Sequence, residues 1–125
     1  MIETLTDLPE GVIGFRMSGK LEAPDYRDVL IPTIEVAAAG GRIRVVLVVE
    51  EFGGLSGGAV WEDLKLATEH LRVIERFAVA TDLDWMVHLI HLFGWMVPGE
   101  IRIFPTSERT RAIAWAATGE TEASG

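Results

Sequence analysis

Apolar and polar positions along this chain fall into two rhythms, short β-type runs and longer stretches at helical spacing. Residues 2–7 and 12–17 read as two strands. Pro9-Glu10-Gly11 between them suits a tight antiparallel connection, which predicts an opening hairpin. Pro24 belongs at a first helical turn with Asp25 at the positive dipole end, and Tyr26, Val29, Leu30, Ile34 and Ala37 recur at helical spacing. Pro32 lies inside that helix and cannot donate to the carbonyl of Asp28, so a kink or a break into two pieces is expected near Ile31. Gly40-Gly41 ends it. Residues 42–49 contain Ile43, Val45, Val46, Leu47, Val48 and Val49, the near-continuous β-branched run of a strand covered on both faces, and this is the expected central parallel strand.

A glycine-rich loop over 53–58 leads into a helix whose apolar face is Val60, Trp61, Leu64, Ala67, Thr68 and Leu71. A strand over 76–80 follows, then a helix capped by Asp82 and running to about Met96, stopped by Pro98-Gly99. The last elements are a strand over 100–104 and a helix over 107–117. The order β-β-α-β-α-β-α-β-α predicts an α/β fold: a single domain over 1–118 with a mixed, mostly parallel five-stranded sheet flanked by helices. A polar, flexible tail over 119–125 completes it.

The helix over 83–97 is the most informative segment. Leu83, Trp85, Met86, Val87, Leu89, Ile90, Leu92, Phe93, Met96 and Val97 span an arc of roughly 220° on a helical wheel, about twice what one sheet face needs. The excess has three destinations: the chain's own helices or loops, a second copy in a homodimer, or an apolar ligand. The ligand reading places a pocket between this helix and the helix over 60–71, lined by Trp61, Trp85, Met86, Leu89, Phe93 and Met96.

Composition narrows the classes. Eleven Lys and Arg against nineteen Asp and Glu give a formal charge of −8, which repels nucleic-acid phosphates and anionic membrane surfaces. With no cysteine there is no disulfide, thiol catalysis or thiolate metal site. The N-terminal residues lack a basic segment followed by an apolar core, and no long uncharged run occurs, so a cytoplasmic protein without stable membrane insertion is expected.

Three constellations could carry chemistry. Asp84, His88 and His91 lie on one helix face at spacings of four and three, where they could hold a divalent metal or form only an i,i+4 pair. No metal or cofactor is expected from them. The loop Gly53-Gly54-Leu55-Ser56-Gly57-Gly58 lacks the Lys-Ser/Thr ending of a P-loop and the dinucleotide pattern in register with an acidic ribose ligand. Gly54, Ser56 and Gly58 satisfy G-x-S-x-G between a strand and a helix, and Asp82 or Asp84 precedes His88 or His91, but a serine-hydrolase scaffold is much larger than 125 residues. No catalytic residue is therefore assigned. Ser56 is a turn residue that could also accept a phosphate at a favourable helix-dipole end.

The chain resembles the SpoIIAA-like proteins of the STAS and CRAL-TRIO type. The resemblance runs from Leu8-Pro9-Glu10-Gly11-Val12 through Asp25-Tyr26 and Pro32. It is most specific in Trp61-Glu62-Asp63-Leu64-Lys65, Arg76-Phe77-Ala78-Val79-Ala80-Thr81-Asp82, Trp85, Phe93-Gly94 and Pro98-Gly99-Glu100-Ile101-Arg102-Ile103-Phe104. It implies a compact β-α superhelix without catalytic residues, and the similar CRAL-TRIO fold implies an apolar or lipid-like ligand. Related STAS regulators carry a phosphorylatable serine at the start of the helix over 60–71, preceded by Asp. Ser56 stands near the matching place, with Leu55 where the acidic neighbour would be.

Overall fold

Ile43–Val49, here β4, is buried on both faces: Ile43, Val45 and Val49 on one, Val46 and Val48 on the other. That double burial is what its unbroken apolar run requires. The computed structural model describes residues 2–6, 8–21, 24–51, 54–55, 73–94 and 99–119. Within them β4 is the middle member of a five-stranded sheet. Its other strands are β1 (Ile2–Thr4), β2 (Val12–Met17), β6 (Ile74–Thr81) and β7 (Glu100–Phe104), in the spatial order β1-β2-β4-β6-β7. β1 runs antiparallel to β2 and the remaining pairs are parallel. The mixed, mostly parallel five-stranded α/β sheet expected from the sequence is therefore the one observed.

After β2 each parallel strand is laid down on the same side of its predecessor. Right-handed crossovers with that progression bring their helices onto one face. α1 (Ile31–Ala38) and α2 (Asp84–Phe93) obey this, packing Ile34, Leu83 and Met86 against Phe15, Val45 and Ile74. α3 (Arg109–Thr118) has no later strand to reach and crosses the opposite face, where Ala112, Trp115 and Ala116 meet Val46, Val48, Ala78, Ala80 and Phe104. Among the described residues two separate cores result, one per face of the sheet.

Several local readings change. Pro32 does divide the first helix: a π-helical segment, Asp25–Leu30, gives way to α1 at Ile31, with the proline in the opening turn where a missing N–H costs nothing. β1 is three residues long, shorter than the strand expected over 2–7. Leu5, its N–H still donating to the Gly14 carbonyl at 2.8 Å, and Leu8 pack on the α3 face over Gly14. Gly54–Leu55 (β5), expected to lie in a loop, forms a short parallel ladder with Lys20–Leu21 (β3). Two residues carry no periodicity by which a sequence could announce this pairing. The helix over 60–71 and residues 120–125 of the expected tail lie outside the described residues.

At the other end of the molecule, α3 stops at Gly119, whose φ of +77° is the left-handed conformation that closes helices, its N–H donating to the Trp115 carbonyl at 2.6 Å. Two arginines from the central strands reach the last carbonyls. Arg44 Nη1 donates to Ala117 O at 2.9 Å and Arg76 Nη1 to Ala116 O at 3.2 Å. Glu75, between them, lies 3.5 Å from Arg44 Nε and 3.8 Å from Arg76 Nη2. Cations at a helix C-terminus are favourable, so α3 is locked to β4 and β6 by charge as well as by packing.

Candidate functional site

The start of α2 is set by register rather than by a cap. Asp82 was the expected N-cap, but Leu83 occupies that position with extended backbone and no side-chain capping bond. The Asp82 carboxylate instead accepts from the Thr106 N–H at 3.1 Å and from the Thr106 hydroxyl. The parallel pairing of Ala80 with Phe104, continued two residues further along both segments, brings Asp82 level with Thr106. These bonds, the hydroxyl's first and the backbone N–H second, hold the Asp82 carboxyl below its ordinary value. Thr81, buried, takes over at the helix start by accepting from the Leu83 N–H at 3.2 Å.

α2 does carry more apolar surface than the sheet hides. Leu83 and Met86 turn to the core, and Val87 and Ile90 are half-buried. Trp85 remains 47% exposed and Leu92 64% exposed. Trp85, His88 and Leu92 are spaced three and four apart and so form one outward stripe.

Among the described residues three clefts border α2 and share lining residues with one another. The largest of them, about 460 Å³, is lined among the described residues by Ile90 and His91 of α2, by Gly94 just after it, and by Ile101, Arg102 and Ile103 of β7. A second, lined by Val87, His88, His91 and Leu92, joins it at His91. A third lies at the carboxyl ends of β6 and β7, lined by Thr81, Asp82, Asp84, Val87, Ile103, Phe104 and Pro105, and meets the others at Ile103 and Val87. Crevices beyond the carboxyl ends of parallel strands are where open α/β sheets place ligands. Gly94 leaves room here, since a Cβ on it would sit 3.4 Å from Ile101 Cδ1.

The expected lining residues are distributed unevenly. Trp85 is on the outer stripe and Met86 faces the core. Leu89 and Phe93 belong to α2, with side chains outside the described set, while Trp61, Met96 and Ser56 lie wholly outside it. The wall found on the β7 side is one the helix-centred reading missed. Its signal was present in the alternation of Ile101, Arg102 and Ile103, which marks a strand with one apolar face.

The chemical alternatives find little here. Among the described residues no three His, Asp or Glu side chains converge as metal ligands, so Asp84, His88 and His91 share a helix without forming a cage. The serine-hydrolase reading gains no support: Gly54 is part of a β-ladder, and Asp82 is engaged by Thr106.

On the α3 side of β7, Arg102 lies 5.9 Å from the Trp115 ring centroid, and Phe104 packs on Trp115 at 6.2 Å with the planes tilted by 51°. β7 thus has a cleft over one face and a sealed aromatic core under the other. Among the described residues no helix is long and apolar enough to cross a membrane.

No curated protein matches the sequence. Among solved structures, the chain is similar to an uncharacterised protein of the DUF3478 family with a SpoIIAA-like fold from Shewanella loihica PV-4. The two share 26% identity over 90% of this chain and 93% of that one, with a TM-score of 0.72. The SpoIIAA-like family profile matches residues 12–117, from the first residue of β2 to the last turn of α3. That span includes the α2–β7 groove and both cores apart from Ile2, Leu5 and Leu8, and the chain belongs to the SpoIIAA-like family.

Proposed function

We propose that this SpoIIAA-like domain acts by binding rather than by catalysis, and that it holds an apolar or amphiphilic small molecule in the groove between α2 and β7. The observation that carries the reading is the 460 Å³ cleft with Ile90 on its helix wall and Ile101 and Ile103 on its strand wall. Pockets of a few hundred Å³ with apolar walls and a few polar groups at their ends are the usual form of small-molecule sites. Here the polar groups are His91 and Arg102, both within the largest cleft, and Thr81, Asp82 and Asp84 at the carboxyl ends of the strands. An acyl chain lying along α2 would cover the half-buried Val87 and Ile90 and leave its head group at one of those polar groups.

The test is native mass spectrometry of untreated protein, followed by titration of delipidated protein with acyl chains of graded length. Gly94→Leu fills the cleft from the helix side, because the new side chain starts within contact distance of Ile101. It is expected to weaken acyl binding by tenfold or more while leaving thermal stability nearly unchanged. Delipidated protein that binds no member of the panel, or a Gly94→Leu variant that binds as well as the original, would overturn the proposal.

A further inference from the structure

The two edges of the sheet are not alike. β1 closes one side with three residues, too short to template another strand. β7 closes the other with five residues in unbroken register with β6, and neither proline nor bulge interrupts it. The largest cleft touches Ile101, Arg102 and Ile103 in succession. Side chains of consecutive strand residues point to opposite faces, so a cleft over the α2 face that also meets Arg102 reaches the main-chain edge of the strand. Among the described residues no strand pairs with the outer edge of β7, and an open edge of this length is a site for strand addition.

Its charges select the occupant. Edges protected against pairing carry charges that meet their own kind. In β7 the signs alternate: Glu100 and Arg102 are both exposed and, among the described residues, neither has an ion-pair partner in its own protomer. An antiparallel second copy with Arg102 on the axis would oppose two guanidinium groups. Shifted by one residue, with Ile101 on the axis, the same pairing sets Glu100 of each copy against Arg102 of the other and Gly99 against Ile103. At a formal charge of −8 per chain, unspecific association is repelled, so a register that supplies two opposite-charge pairs is favoured over its neighbours.

We infer that β7 is the interface of a two-fold homodimer in which two copies pair antiparallel with Ile101 facing Ile101 across the axis. An isologous pairing of this kind joins the two sheets into one and keeps both α2 helices on the same side. Each copy then walls the open side of the other's cleft. The pairing stands independently of the ligand reading, since oligomeric state tests it without any ligand.

Sedimentation velocity provides the first measurement. The wild-type chain is expected as a dimer at micromolar concentrations. Glu100→Arg and Arg102→Glu each turn both cross-strand pairs into like-charge pairs and should raise the dimer dissociation constant about tenfold or more. The double variant, Glu100→Arg with Arg102→Glu, restores opposite charges and should return the dimer. Because Arg102 also lies over Trp115, each variant is checked by its thermal unfolding.

A second measurement does not need those substitutions. The chain has no cysteine, so Ile101→Cys introduces a sole thiol. Directly opposed residues of an antiparallel pair have Cα atoms about 4.5–5.5 Å apart, within disulfide range. Diamide should therefore cross-link this variant rapidly and leave Glu3→Cys, on the β1 edge, largely monomeric. A wild-type chain monomeric throughout, a dimer indifferent to both single charge reversals, or equal cross-linking of the two cysteine variants would overturn the inference.

Discussion

Replacing glycine by alanine at two crowded positions separates two kinds of crowding. A Cβ at Gly14 in β2 would lie 2.8 Å from Leu8 Cδ1 and 2.9 Å from Leu5 Cδ1. A Cβ at Gly99, just before β7, would lie 2.3 Å from the Glu75 carbonyl oxygen and 2.4 Å from that of Ile74. Comfortable separations are about 3.5 Å, so the overlaps are roughly 0.7 Å and 1.2 Å. At Gly14 the obstacles are the ends of two leucine side chains, which can change rotamer. At Gly99 they are main-chain carbonyls of β6 at the point where its pairing with β4 is irregular and Glu75 is bulged out of register.

We expect Gly14→Ala to cost about 1–2 kcal/mol, the ordinary range for overpacking, and Gly99→Ala about 3 kcal/mol or more. Alanine returns some tenths of a kcal/mol at each site by restricting the unfolded chain, and both figures stand after that offset. A chain of 125 residues has an unfolding entropy near 0.26 kcal/mol/K, so Tm should fall by about 4–8 °C and about 12 °C or more, respectively. The assay is thermal and urea unfolding of both variants, each repeated in a Leu8→Ala background. Leu8→Ala should recover part of the Gly14→Ala loss, since Leu5 still crowds the site, and none of the Gly99→Ala loss. Equal destabilisation of the two variants, or rescue of Gly99→Ala, would refute the argument.

Three other substitutions probe the remaining joints. Arg76→Ala removes the charged donor to the Ala116 carbonyl and is expected to destabilise by about 1.5–3 kcal/mol in urea titrations, with Arg76→Lys recovering less than half because a single ammonium lacks the guanidinium fork. Trp115→Ala empties a site that is 2% exposed beneath Phe104 and should cost about 3–5 kcal/mol, read as a large fall in the urea midpoint. Asp82 has a folded-state value below its unfolded one, so its contribution is complete above roughly pH 4 and is lost as pH falls through the lowered value. Asp82→Asn should therefore flatten that acidic part of the stability–pH curve, and an unchanged slope would show that the Thr106 bonds do not persist in solution.

The elements legible in the sequence were those whose side chains obey one dominant force. β4 announced itself through Ile43 to Val49 because burial on both faces leaves no room for polar residues, and β7 matched its expected limits because Pro98-Gly99 and Pro105 bracket it. Pro32 marked the junction at Ile31 because a missing N–H has only one inexpensive place in a helix. The apolar excess of α2 was equally readable, since it depends on helical periodicity alone.

What only the tertiary structure decided depends on which segments become neighbours. Asp82 looked like a cap, and the β6–β7 register gave it Thr106 instead. Gly14 is small because Leu5 and Leu8 occupy the space a side chain would need, and those neighbours meet it only in the folded chain. The groove formed on the β7 side of α2 for the same reason: strand order is chosen by long-range pairing and crossover handedness, and no local pattern in the chain encodes it.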